Sequence, residues 1–137
     1  MDIEKILAEL KMNYKKLHTQ VMQENPFYAK DKSEMICGTI SNKIHAWLIA
    51  TYPDYSQYFH YCSGQYVGQG TEYSGGREGT YHCWVEILLP NRMDKIIIDG
   101  AFAQFYPPEI PYEEKDHVRL RIFMPEEIGL TWYKQSH

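Results

Sequence analysis

Residues 81–99 read Tyr81-His82-Cys83-Trp84-Val85-Glu86-Ile87-Leu88-Leu89-Pro90-Asn91-Arg92-Met93-Asp94-Lys95-Ile96-Ile97-Ile98-Asp99, and this stretch decides the fold. Tyr81 to Leu89 alternates as a strand does. A period of two puts His82, Trp84 and Glu86 on one face and Cys83, Val85 and Ile87 on the other. Pro90-Asn91-Arg92 is turn chemistry, and the isoleucine run from Lys95 to Asp99 supplies a returning strand. Depending on the turn, Asp99 falls opposite His82 or diagonally across from it, and both placements lie within side-chain reach.

Upstream of this hairpin the pattern is helical. Ile3, Ile6, Leu7, Leu10, Tyr14, Leu17 and Val21 form one stripe of a 3.6-residue helix. Asp2 can cap it, Glu4 suits its positive end, and Asn25-Pro26 ends it. A second helix fits residues 37–51, with Ile40, Ile44, Trp47, Leu48 and Thr51 on one face and Tyr52-Pro53-Asp54 closing it. Either Ser33 caps this helix and Cys37 sits inside its first turns, or a loop runs up to Cys37-Gly38. Residues 54–79 mix tyrosine with Gly, Ser and Gln and read mostly as loop, with a short strand available near Gln65–Val67.

After the hairpin, Tyr106–Pro111 is too rich in proline for an interior strand. His117–Met124 alternates as a third strand, and Leu130–Tyr133 offers a short one. There is no repeat and no linker. The expectation is one α+β domain over residues 1–137, with N-terminal helices packed against a small antiparallel sheet.

Composition narrows the function classes. The chain has 137 residues, 44% hydrophobic and 23% charged, which is enough to build a core and unlike a disordered chain. Lys and Arg number 14 against 18 Asp and Glu, for a net charge of −4, which argues against a nucleic-acid groove. No apolar run approaches the roughly 20 residues of a membrane helix. The amphipathic, partly acidic N-terminus is neither a secretory signal nor a transit peptide, so cytoplasm is the default. An effector exported without a cleavable signal has the same features. Cys37, Cys62 and Cys83 are too few and too scattered for a disulfide scaffold and lack zinc-site spacing.

A carboxylate beside an imidazole fixes its tautomer and supports the imidazolium, so that the histidine can take a proton from a nucleophile. Cys37 fits as that nucleophile, because a thiol at a helix N-terminus feels the dipole and the unpaired amides, which stabilise its thiolate. Trp84 is placed to pack beneath the His82 ring and is a candidate oxyanion or cleft residue. Gln104 is a candidate oxyanion donor or cleft residue, and the Cys37 backbone N–H is another donor.

Cys37-Gly38-Thr39, His82-Cys83-Trp84-Val85-Glu86-Ile87 and Ile96-Ile97-Ile98-Asp99-Gly100, in this order, resemble the transglutaminase-like branch of the papain-like cysteine enzymes. The resemblance spans roughly residues 33–105. It implies a papain-like core with Cys37 as nucleophile, His82 as general base and Asp99 as the residue orienting it. The implied chemistry is acyl transfer from a peptide or glutamine carboxamide to water or an amine, through a thioester.

The expected function is therefore a cysteine-dependent amidase: a peptidase or glutamine deamidase ahead of a crosslinking transglutaminase. It uses no cofactor or metal and takes a protein or peptide substrate. Cys62 is a rival nucleophile at the mouth of the glycine loop, Cys83 reads as core, and a metal site from His45, His60 and His82 has no supporting spacing. The competing reading is a noncatalytic module that binds a protein through its tyrosine-rich loop.

Overall fold

The computed structural model describes residues 1–66, 80–91, 94–106, 109–127 and 133–135. Helix α1 spans Ile3–Glu24, and Asp2 caps it by accepting from the Lys5 N–H at 3.1 Å. Its stripe is buried from Ile6 to Val21, with Ile3 half-buried at the start. Asn25-Pro26 does end α1, but the same proline opens a second helix, α2, at Pro26–Asp31. Proline is well suited to that first helical position, where its missing N–H costs nothing.

Helix α3 runs Cys37–Thr51, which settles the choice of start: Ile36 is the N-cap and Cys37 the first helical residue. Ser33 instead turns the chain locally, its Oγ accepting from the Met35 N–H at 3.0 Å. Ile40, Ile44 and Leu48 are buried, Trp47 is half-buried and Thr51 is exposed.

Among the described residues five antiparallel strands follow: β1 (Phe59–Tyr66), β2 (Thr80–Leu88), β3 (Lys95–Asp99), β4 (Arg121–Phe123) and β5 (Tyr133–Gln135). Their order in the sheet is β4-β3-β2-β1-β5. The chain is an α+β fold with N-terminal helices on an antiparallel sheet, as expected. No helix among the described residues is long and apolar enough to cross a membrane.

The local differences have physical causes. Residues 59–64, read as loop, join the Gln65–Tyr66 part of the short strand foreseen there to form the long strand β1. Its burial does not alternate strictly, and its Tyr, Ser, Gly and Gln side chains give little hydrophobic period, so pairing with β2 supplies the order. Residues 67–79, the rest of that expected loop, lie outside the described residues. The expected strand at His117–Met124 is shorter: Tyr112–Val118 is a 3-10 segment, and only Arg121–Phe123 pairs, with β3. The tail strand begins at Tyr133 and continues to Gln135, while 130–132 lie outside the described residues.

The sheet is covered on both faces. Val85, Ile87, Ile96 and Ile98 pack against α1 and α3, whereas Trp84, Ile97 and Phe123 join Cys62, Tyr66, Phe102, Phe105 and Tyr133 on the other side. Full burial of each large apolar side chain contributes roughly 1.5–3 kcal/mol, so this two-sided core anchors β2 at the centre of the domain.

Candidate active site

The β2–β3 register pairs Val85 with Ile98 and Leu88 with Lys95. Carried one step further, it sets Asp99 across from Trp84 and diagonal to His82, the second of the two registers foreseen. The diagonal is short enough: His82 Nε2 lies 2.7 Å from Asp99 Oδ2, and both residues are fully enclosed.

Asp99 is held on every side. Its Oδ2 also accepts from the Tyr133 hydroxyl at 2.8 Å, and Oδ1 accepts from the Ala101 N–H at 2.9 Å. These donors compensate a carboxylate that burial alone would disfavour. Gly100 follows Asp99 for a steric reason: a Cβ there would stand 2.6 Å from Ile44 Cδ1 and 3.1 Å from Ile40 Cγ1. The end of β3 thus passes directly against α3, the helix that carries Cys37.

The His82 ring sits among aromatic neighbours. Phe105 is 4.7 Å away between centroids, Tyr66 6.2 Å and Trp84 6.4 Å with nearly parallel rings. With Nε2 committed to Asp99, Nδ1 has no hydrogen-bond partner of ordinary geometry among the described residues. It is the ring nitrogen not committed to Asp99. Burial works against the imidazolium, but the charge and hydrogen bond of Asp99, followed by the Cys37 thiol, outweigh it and push His82 up to about 9.

Cys37 answers in the opposite sense. Burial disfavours its thiolate, yet interaction with His82 and hydrogen bonding from Cys83 hold the half-buried thiol below its ordinary value. A thiol lowered beside an imidazole raised is the direction of shift that a thiolate–imidazolium pair requires. The two other thiols differ. Burial, then Glu86, pushes Cys62 up to about 12, which keeps this rival protonated. Cys83 lies on the opposite face from His82 and is buried, and burial raises it as well; its Sγ is 3.5 Å from the Tyr81 hydroxyl.

Trp84 packs alongside the imidazole and donates from Nε1 to Glu86 at 2.9 Å. Glu86, buried in the sheet, also receives Lys95 at 3.2 Å and Gln135 at 3.0 Å. Gln104 stands in the wall of a separate cleft that Cys37 and His82 do not border. His45 and His60 do not converge with His82: each ring bonds a backbone carbonyl at 3.0 Å, of Phe59 and Gln57 respectively.

Sequence reasoning missed Tyr133, whose only signal was the short tail strand, and missed the Arg119–Glu34 pair. Arg119 is buried and donates to both oxygens of Glu34, at 3.1 and 2.8 Å, fixing the segment that leads into Cys37. No protein-family model, no curated protein and no solved structure matches the chain.

Proposed function

We propose that this protein is a cysteine-dependent amidase of the transglutaminase-like kind, acting on peptide or glutamine carboxamides. The observation that carries this reading is the buried His82–Asp99 contact at 2.7 Å, joined to a Cys37 thiol that His82 lowers.

In the proposed cycle the Cys37 thiolate attacks the carboxamide carbon, and the carbonyl π-electrons move onto oxygen. First-turn N–H groups of α3, which have no helical carbonyl to bond, face that developing charge. The imidazolium of His82 gives its proton to the departing nitrogen as the C–N bond breaks, releasing amine or ammonia and leaving a thioester. Water then attacks with His82 as base, the C–S bond breaks, and the acid leaves with the thiolate restored. An amine in place of water gives transfer. Asp99 keeps the imidazole oriented and supports its positive charge throughout.

The test is iodoacetamide labelling of the reduced, folded protein at pH 6, resolved at each cysteine by mass spectrometry, beside His82→Ala. Fast labelling confined to Cys37, slowed at least tenfold by the histidine change, supports the pair and directs a screen for ammonia release from glutamine peptides. Slow labelling of Cys37, or a rate indifferent to His82→Ala, overturns it. Three inert thiols favour the noncatalytic binding module.

A further inference from the structure

We infer that the cleft between α2, the Lys32–Met35 segment and the chain around Gln104 and Lys115 is a carboxylate-binding subsite for an acidic peptide. As a subsite of an amidase it rests on the reading above; as a peptide-binding pocket it does not.

The cleft has a volume of about 540 Å³, within the usual span of small-ligand sites. Its charges sort into paired and unpaired. Lys32 pairs with Glu113 at 3.0 Å, and Glu34 is taken by Arg119 at 2.8 Å. Asp31 lies exposed at the rim, where water solvates it. Lys115 borders the same cleft, is only 7% exposed, and has no ion pair or hydrogen bond among the described residues.

Lys115 buries its stem and turns its ammonium to the open side of the cleft, where no carboxylate of the described residues pairs with it. A carboxylate is the group that pairs with such a head, through a charge-assisted hydrogen bond. A second orphan points to the same ligand class. The Gln104 side-chain oxygen in this wall has no donor among the described residues, and a peptide N–H supplies one. Phe27 and Met35, 82% and 67% exposed, edge the cleft and offer apolar contact for the rest of a residue.

The cleft is also placed for such a role along the chain. Met35 precedes Cys37 by two residues, and Gln104 lies in the 3-10 segment Phe102–Phe105 just beyond Asp99. A peptide presenting its carboxamide to Cys37 can lay a neighbouring residue here.

The test measures binding to the full chain carrying Cys37→Ala, so that no turnover intervenes. The probes are N-acetylated peptides with one central glutamine, in three versions. One has a flanking glutamate and an amidated C-terminus, one has a neutral flank and a free C-terminus, and one has neither carboxylate. The expected result is at least about tenfold tighter binding of a carboxylate peptide than of the neutral one. Which peptide gains identifies the side chain or the C-terminus as the source. Lys115→Met erases the difference and Lys115→Arg retains it.

Equal binding of the three peptides, no binding of any, or a preference that survives Lys115→Met overturns the subsite. The peptide comparison needs no change at Lys115, so a misfolded variant does not prevent a decision. Failure of the thiol-labelling test counts against the amidase alone, and failure here counts against the subsite alone.

Discussion

The Tyr133 hydroxyl donates at 2.8 Å to Asp99 Oδ2, the same oxygen that meets His82 Nε2 at 2.7 Å. Strand β5, at one edge of the sheet, thereby reaches the carboxylate at the end of β3. Burial and the neighbouring Asp99 charge raise Tyr133 well above its ordinary value, so it remains a donor at any working pH. It is a positioning residue for the pair.

Tyr133→Phe removes that donor and leaves Asp99 with His82 and the Ala101 N–H. Loss of a hydrogen bond to a buried charge should cost about 1.5–3 kcal/mol, read from urea denaturation. Labelling of Cys37 at pH 6 should stay faster than in His82→Ala, because the imidazole keeps its carboxylate. A labelling rate as low as that of His82→Ala would show that Tyr133 is needed for the pair itself.

The two shifts in the thiol–imidazole pair oppose each other in their effect on stability. His82 is raised from about 6.5 to about 9, so its contribution is complete below 6.5 and is lost as pH climbs through 9. Cys37 is lowered from an ordinary value of 9.0, so its contribution grows up to that pH. Where both shifts operate, the loss on His82 and the gain on Cys37 offset each other, so stability changes less with pH than His82 alone would make it. Cys37→Ser removes the thiol side of the balance while Asp99 still raises His82. Its urea midpoint should therefore fall from pH 6.5 to 9 more steeply than that of the unaltered protein. Equal slopes in the two proteins would contradict the paired assignment.

What could be read in advance depended on how local each signal was. The α1 stripe and the β2 alternation are periodic within one element, so Leu10, Tyr14 and Trp84 are buried where their spacing put them. The His82–Asp99 contact was legible to within one register step, because one short turn joins the strands. Strand β1 was legible only at its Gln65–Tyr66 end, since Ser63, Gly64 and Gln65 carry no hydrophobic period and gain their order from β2, with Gly64 and Gln65 also paired to β5. Tyr133 and Arg119 reach partners in distant segments of the chain, and no spacing rule connects them.

Gly100 tests the fit of the sheet end against the helices. An added methyl would meet Ile44 Cδ1 at 2.6 Å, Ile40 Cγ1 at 3.1 Å and Tyr14 Cε1 at 3.3 Å, all in the packed core. Overpacking of this kind costs about 1–3 kcal/mol, so Gly100→Ala should lower the urea midpoint. Because the strain falls between Asp99 and α3, Cys37 labelling at pH 6 should slow as well. An unchanged midpoint would mean that Ile44 turns aside at no cost.

The last prediction concerns the segment that leads into Cys37. Arg119 donates to Glu34 from two nitrogens, to the Tyr112 carbonyl at 2.7 Å and to Asp116, and its guanidinium lies 4.3 Å from the Tyr112 ring. Its own carbonyl accepts from the Phe102 N–H at 3.1 Å, so one residue ties Glu34 to the segment that covers His82. Glu34→Gln leaves the buried guanidinium with Asp116 as its carboxylate partner, and that carboxylate is 67% exposed and correspondingly screened. Breaking a buried pair from one side costs about 3–5 kcal/mol, and the remaining Asp116 places this case near the lower figure. Adding Arg119→Met to Glu34→Gln should cost less than the two single losses together, because both remove the same interaction. Additive losses in urea denaturation would mean that Glu34 and Arg119 stabilise the fold independently, and that the approach to Cys37 is held by other contacts.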